Sequence, residues 1–433
     1  ILGQYSPGGI VIFLSIMSAE GNIPKMILLL SVISLAYLLA YSLDYLFGYY
    51  GVETVIKKLG FEKNEERYRK LLDKNVFSTI FFSYAETNIA SLVKPHVQSL
   101  RAYEAVEIPC RVKLDANESP YSAFSVRKNF QTLNRYPDPE AKALRKLLAK
   151  EFKVKPENIL HGNGSDEIIY YLITTFGGPV LYPVPTFSMY GIISQALGEK
   201  KIEVPLDKNF DLDIERILTA IKKYKPRLIF LSSPNNPTGN SFSTDRILKI
   251  LKATASRITH HASLSIVVVD EAYQVFSSKK SFLPSLKKYK NLVILKTLSK
   301  IGLAGLRVGF MTSDSEIIKE VNKVRLPFNV NSISQAVAVE ALKDRRLLQS
   351  CIKSIVSERK RLLNEMEKIG NIKPYPSDAN FILFKVVNSD KIYKGLLKKG
   401  VLLKNMKRVI DGCLRVTVGT PEENAIFLKT LQS

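Results

Sequence analysis

Ile266-Val-Val-Val-Asp-Glu-Ala-Tyr273 and Leu292-Val-Ile-Leu-Lys-Thr-Leu-Ser-Lys300 decide how this chain is read. Each opens on a continuous apolar run, the signature of a strand covered on both faces, and each closes on polar groups. Similar runs stand at 180–182, 228–232 and 308–311, with amphipathic, Lys- and Glu-bearing stretches such as 139–152 and 244–253 between them. Strands alternating with helices predict an α/β fold with a mostly parallel central sheet. Farther along, a long charged helix over about 347–369 and strands at 380–384 and 413–418 predict a second, smaller α+β lobe. The chain has no internal repeat and no low-complexity tract.

In open α/β sheets ligands collect at the C-terminal ends of strands, and polar clusters fall there. They are His161-Gly-Asn-Gly-Ser-Asp166, Ser233-Pro-Asn-Asn-Pro-Thr-Gly239, Asp270-Glu-Ala-Tyr273, and Lys296-Thr-Leu-Ser-Lys300 followed by Arg307. Gly162, Gly164, Ser165 and Asp166 precede the helical run EIIYYLITTF, where free N–H groups could hold a phosphate. Taken alone, the motif reads as an ordinary N-cap. Asp270 ends a buried strand and needs a partner to stay charged. It reads either as a structural ion pair or cap, or as the carboxylate that keeps a heteroaromatic nitrogen protonated. Lys300 reads as a solvated surface charge or as an amine nucleophile towards aldehydes. Ser299, Gly302, Gly305 and Arg307 make a compact cationic loop suited to a phosphate dianion.

Composition narrows the classes. The 433 residues are 46% hydrophobic and 24% charged, which is globular, and the formal charge is +23. That surplus suits an anionic partner. The basic residues are scattered without a nucleic-acid-binding signature, so a solvated Lys-rich surface is the preferred reading and no nucleic-acid partner is expected. Cys110, Cys351 and Cys413 form no disulfide framework or metal pair and fit a reducing compartment. His96, His161, His260 and His261 lack metal-ligand spacing, so no metal is expected. Residues 1–93 differ from the rest: residues 26–43 are an uncharged run of membrane-spanning length, flanked by shorter apolar runs at 9–17 and 76–85. The basic stretch at 57–70 places the remainder of the chain in the cytoplasm if that run spans. A buried hairpin packed on the rest of the chain is the competing reading. Asp44-Tyr-Leu-Phe-Gly48-Tyr-Tyr-Gly51 resembles a region of the DedA-type membrane proteins, without that family's later helices. Because the chain begins with Ile1, it reads as a fragment or gene-fusion product.

Taken together and in order, the polar clusters resemble the fold-type I pyridoxal-phosphate aminotransferases, specifically the histidinol-phosphate aminotransferases, over residues 94–433. The resemblance implies a large cofactor-binding domain at about 136–330 and a small domain from about 100–135 plus 331–433, preceded by a hydrophobic helical segment. It implies pyridoxal 5'-phosphate as cofactor, with Lys300 as the lysine that bonds to the cofactor's aldehyde carbon and Asp270 as the acid paired with the pyridine nitrogen. Tyr273 and Asn236 match the groups at the ring's 3-oxygen, and Phe187, in Pro185-Thr-Phe187, matches the stacked aromatic. Gly164, Ser165, Asp166, Thr297, Ser299 and Arg307 match the phosphate cradle. Arg415, in Cys413-Leu-Arg-Val-Thr-Val-Gly419, matches the arginine on the substrate carboxylate.

Asn117, in Leu114-Asp-Ala-Asn-Glu-Ser-Pro120, and Tyr103 match substrate contacts. Tyr136 matches the tyrosine that reaches the neighbouring subunit's site in a homodimer. Two departures stand out. The loop from Lys300 to Arg307 is one residue shorter than the commoner form, and Lys404 stands where many members place an arginine on the substrate phosphate. The expected reaction is transamination of histidinol phosphate with 2-oxoglutarate. The alternatives are a threonine-phosphate decarboxylase or aromatic aminotransferase with the same cofactor site, and, from another class, a membrane-tethered non-catalytic binding protein.

Overall fold

The computed structural model describes residues 110–115, 117, 119–121, 134–255 and 265–432. The chain divides into the units Ile1–Leu92 and Val93–Ser433, and everything described belongs to the second. The expectations placed on residues 1–93 (apolar runs, membrane association, DedA-like stretch) lie outside the described residues, as do Tyr103, His260 and His261. No described helix is long and apolar enough to cross a membrane.

In chain order the elements begin β1 (Val112–Lys113), α1 (Lys142–Phe152), β2 (Ile159–Asn163), α2 (Ser165–Phe176), β3 (Val180–Val184) and α3 (Met189–Ala196). They continue with β4 (Lys201–Pro205), α4 (Ile214–Tyr224), β5 (Leu228–Ser232), α5 (Thr244–Ala255), β6 (Ile266–Asp270), β7 (Leu292–Thr297) and β8 (Val308–Ser313). Then come α6 (Ser315–Asn322), α7 (Ser332–Lys343), α8 (Arg345–Glu367), β9 (Ile372–Pro374), β10 (Phe381–Val386) and α9 (Ser389–Lys398). The last are β11 (Val401–Leu402), β12 (Lys404–Asn405), β13 (Cys413–Thr417) and α10 (Pro421–Gln432).

A seven-stranded sheet runs in the order β2-β8-β7-β6-β5-β3-β4. Its pairs are parallel except those of β8, which runs against both β2 and β7. Strand alternation divides the apolar residues between two cores. Ile266, Val268, Phe230 and Val293 pack on one face with α2, α3 and α6. Val267, Val269, Ile229 and Ile294 pack on the other with α4 and α5. Each fully buried side chain of this size contributes roughly 1.5–3 kcal/mol, so β5, β6 and β7, buried at every position, anchor the sheet. Edge strand β4 shows the opposite pattern, with Ile202 and Val204 inward and Lys201 and Glu203 in solvent.

The smaller sheet, β12-β13-β10-β9, is antiparallel throughout and packs with α8, α9 and α10 around Ile382, Phe384, Leu414 and Phe427. Strands β1 and β11 pair parallel as a separate two-stranded sheet, whose Val112 and Val401 enter the same core.

Boundaries shift slightly from the expected ones, each for a local reason. Strand β7 continues to Thr297 and β8 to Ser313 because the two pair antiparallel along their length. Helix α1 starts at Lys142 rather than at 139, because Asp138 accepts from the Glu140 and Lys142 amides and closes a turn first. Helix α8 starts at Arg345, where the Asp344 carboxylate accepts from the Leu347 amide as its N-cap.

Candidate active site

Strands β2, β5, β6 and β7 deliver their C-terminal ends to one region. At the end of β2, Gly164 adopts φ 83° and α2 begins at Ser165 without any side-chain cap. The motif does supply the N-cap, as Gly164, but without side-chain capping: Ser165 is the first helical residue, and the amides of this first turn are not covered by a capping side chain. Two glycines make the geometry possible. A Cβ on Gly164 would lie 2.5 Å from Arg307 Nη2, and one on Gly309 would lie 2.5 Å from the Gly164 carbonyl carbon and the Ser165 nitrogen.

Arg307, itself at φ 54°, approaches Asp166 Oδ2 at 3.5 Å and Ser299 Oγ at 3.5 Å. The Thr297 hydroxyl lies 2.9 Å from Ser299 Oγ and accepts from the Ser299 amide at 3.2 Å. A helix N-terminus, two hydroxyls and a guanidinium thus converge, which is the donor set of an anion site.

Asp270 closes β6 and is 4% exposed. Its Oδ2 accepts from the Tyr190 hydroxyl at 2.7 Å and its Oδ1 from the Ala272 amide at 3.0 Å. Among the described residues no cation lies within ion-pair distance of it. Burial pushes its pKa up to about 6; the two hydrogen bonds oppose that rise, and the negative charges of Asp166 and Glu271 add to it. Next in the chain, Glu271 is equally buried and pairs with Lys296 Nζ at 2.7 Å.

Lys300 stands on the short 3-10 turn Ser299–Ile301 that follows β7. Its ammonium lies 5.7 Å from the centroid of the Tyr273 ring, and among the described residues it makes no hydrogen bond. The Tyr273 hydroxyl accepts from Asn117 Nδ2 at 3.2 Å. Asn117 is held in turn by Thr417 on β13 and by Asn380, which donates to its carbonyl at 3.0 Å. Arg415 on β13 lies 5.0 Å over the Phe381 ring, whose edge contact with Tyr273 is 5.2 Å between centroids. Arg415 also donates to Asn236 Oδ1, in the loop after β5, and to the Asp115 carbonyl at 3.0 Å. The smaller sheet therefore brings its arginine to the strand ends of the larger one.

Residues expected at the site are thus joined into two groups: Gly164, Ser165, Asp166, Thr297, Ser299 and Arg307 around the helix terminus, and Asn117, Tyr273, Lys300, Asn236 and Arg415 around the tyrosine. Phe187 contacts Asp270's partner Tyr190, the rings T-shaped at 5.6 Å. Tyr136 is not drawn in: it is 82% exposed and stacks on Phe328. Lys404 is exposed on β12, directly opposite Arg415 in the strand register. No cluster of His, Cys, Asp or Glu able to hold a metal occurs among the described residues.

Sequence reasoning missed Tyr190 and Phe381. Tyr190 and Phe381 look like core residues in their local sequence, and they are. The spacing of Tyr190 from Phe187, one helical turn, was the signal available for it.

The family model for aminotransferase class I and II matches residues 103–431. The chain is 40% identical over 357 residues to a histidinol-phosphate aminotransferase of Caldanaerobacter subterraneus subsp. tengcongensis, covering 79% of this chain and 99% of the relative. To that of Aquifex aeolicus it is 43% identical over 356 residues, covering 79% and 97%. Among solved structures, the histidinol-phosphate aminotransferase from Clostridium acetobutylicum superposes with a TM-score of 0.69 at 27% identity, covering 74% of this chain and 98% of that one. With its strand-end acid, lysine and anion cradle in that family's order, the chain belongs to the class I and II aminotransferases, within the histidinol-phosphate aminotransferase family.

Proposed function

We propose that residues 94–433 catalyse pyridoxal-phosphate-dependent transamination, with histidinol phosphate and 2-oxoglutarate as the substrate pair. The observation that carries the reading is Asp270, a buried carboxylate given neutral donors and, among the described residues, no cation, in the same strand-end region as an anion cradle and a lysine that makes no hydrogen bond to those residues. A buried charge without a counter-charge is costly, and a protonated ring nitrogen would supply the missing one. The residues present therefore fit pyridoxal phosphate at both ends, by charge at Asp270 and by donor set at Arg307.

When bound, that cofactor supplies an aldehyde carbon that takes up amines and a ring that accepts electrons. Ser165, Asp166 through its backbone, Thr297, Ser299 and Arg307 hold its phosphate. Asp270 keeps the ring nitrogen protonated, while Tyr273 and Asn236 orient the 3-oxygen and Phe187 covers the ring. Lys300 Nζ would hold the cofactor at its aldehyde carbon at rest; once displaced by the incoming amine it would take the proton from the substrate Cα as general base and, as general acid, pass it to the former aldehyde carbon. Arg415 binds the substrate carboxylate in a bidentate manner, with Asn117 beside it. Lys404 and Tyr103 serve the substrate phosphate; a lysine does so as a point charge rather than a fork.

The active unit is a homodimer in which Tyr136 completes the partner's cofactor site. Its 82% exposure beside the exposed Phe328 supports that assignment. The division into a large domain (136–330) and a small domain (100–135 plus 331–433) follows the two sheets, which span 159–313 and 372–417. The free thiols of Cys110, Cys351 and Cys413 fit a cytoplasmic catalytic unit.

The test is turnover of the full chain with histidinol phosphate against threonine phosphate and phenylalanine. Oxo-product formation from histidinol phosphate supports the reading. Carbon dioxide release from threonine phosphate would reassign it to the decarboxylases, and a colourless protein that takes up no added cofactor would assign it to non-catalytic binding.

A further inference from the structure

Tyr190 touches both the acid and the aromatic of this site. It is fully buried, stacks on Phe230 at 4.8 Å and 14°, and meets Phe187 edge-on at 5.6 Å and 87°. Its hydroxyl donates to Asp270 Oδ2 at 2.7 Å. Helix α3 carries it one turn after Phe187, and the Phe230 contact, on the neighbouring strand β5, leaves its ring little freedom to move.

We propose that Tyr190 is a positioning residue for the cofactor site: its hydroxyl orients the Asp270 carboxylate and favours its ionised form, while its ring fixes the plane of Phe187. One side chain thereby aligns the acid and the aromatic assigned above to the cofactor ring, so the inference rests on that assignment. The Tyr190 hydroxyl and the Ala272 amide stabilise the charge of Asp270, and the carboxylates of Asp166 and Glu271 oppose it; Ser232 and Tyr273 also act on Tyr190. Removing the hydroxyl leaves burial and two negative neighbours acting on a carboxylate with one hydrogen bond. The proton affinity of Asp270 must then rise.

The experiment reads Asp270 directly. In cofactor-free full-length protein carrying aspartate labelled with carbon-13 at the carboxyl, the Asp270 signal is assigned by its loss in Asp270→Asn and titrated. Wild type is expected to titrate near 6. Tyr190→Phe keeps the ring and is expected to raise the midpoint by about one unit, a tenfold change in proton affinity. Pyridoxal-phosphate affinity, followed by absorbance, should then fall about fivefold at pH 6 and recover by pH 9, where Asp270 is ionised in both proteins.

An unchanged midpoint, or an affinity loss equal at every pH, would overturn the proposal and leave Tyr190 a packing residue. Should Tyr190→Phe fail to fold, 3-fluorotyrosine at position 190 replaces it. This near-isosteric, stronger donor must lower the Asp270 midpoint, and no shift refutes the coupling. If Asp270→Asn binds pyridoxal phosphate as well as wild type does, the functional assignment itself fails, whatever the titrations give.

Discussion

Asp270 and Glu271 are neighbours in the chain, both acidic and both buried, at 4% and 2% exposure, yet the molecule treats them in opposite ways. Glu271 is saturated: Lys296 pairs with it at 2.7 Å, the Ser281 hydroxyl donates at 2.6 Å and the Phe282 amide at 2.6 Å. Among the described residues Asp270 receives two neutral hydrogen bonds and no cation. A fully compensated buried carboxylate belongs to the scaffold, here clipping the end of β6 to β7. One left without its counter-charge marks where a ligand is to provide it. Successive residues at a strand end point to opposite sides, so one acid faces the scaffold and the other the site.

Substitutions should separate the two roles. Asp270→Asn should have the largest effect, lowering kcat/KM for histidinol phosphate by about 10⁴-fold, or ~5.5 kcal/mol, while leaving the protein folded; steady-state turnover checks it. A fall of tenfold or less would mean that Asp270 is scaffold like its neighbour.

Glu271→Gln should act in the other direction, on the fold. It strands Lys296, whose side chain is 10% exposed, and should lower unfolding free energy by about 3–5 kcal/mol in urea titration. The pair Glu271→Leu with Lys296→Met should recover much of that loss, because it removes both charges together.

Asp270 should also disclose itself in the pH dependence of cofactor-free stability. Its folded pKa, raised from 3.8 to about 6, means that the native state holds an extra proton between those values. Its unfavourable contribution is therefore absent at pH 3–4, grows as pH rises through that window, and is complete above it. The full difference is about 3 kcal/mol. Cofactor-free Asp270→Asn should accordingly be more stable than wild type at pH 8 and not at pH 4, measured by denaturant titration.

Arg307→Lys should have the smallest effect. It keeps the charge at the anion cradle but loses the fork, weakening pyridoxal-phosphate binding by about tenfold, ~1.4 kcal/mol, in equilibrium absorbance titrations. A change of less than twofold would place Arg307 outside the cradle.

Much of this was written in the local sequence. Apolar runs such as Ile266–Val269 read as strands buried on both faces, because they are short, rich in β-branched residues and apolar at every position. Their polar ends named Asp270, Lys300 and Arg307, and the order of the motifs named the family. Other features were not legible. Gly-Ser-Asp read as a cap, and Gly164 is one, but that it caps without a side chain, with room made by Gly309 on a strand that pairs β2 from far along the chain, was not.

What the sequence determined by itself was the set of strands and the chemistry waiting at their ends, since each depends on residue type and short-range spacing; the cofactor followed from the family resemblance that the ordered motifs carry. What only the tertiary structure decided was pairing: Tyr190 with Asp270 across 80 positions, Asn117 with Tyr273 across 156, Asn236 with Arg415 across 179. A hydrogen bond a few ångströms long is set by how two sheets pack, and no local pattern records which polar groups that packing will bring face to face.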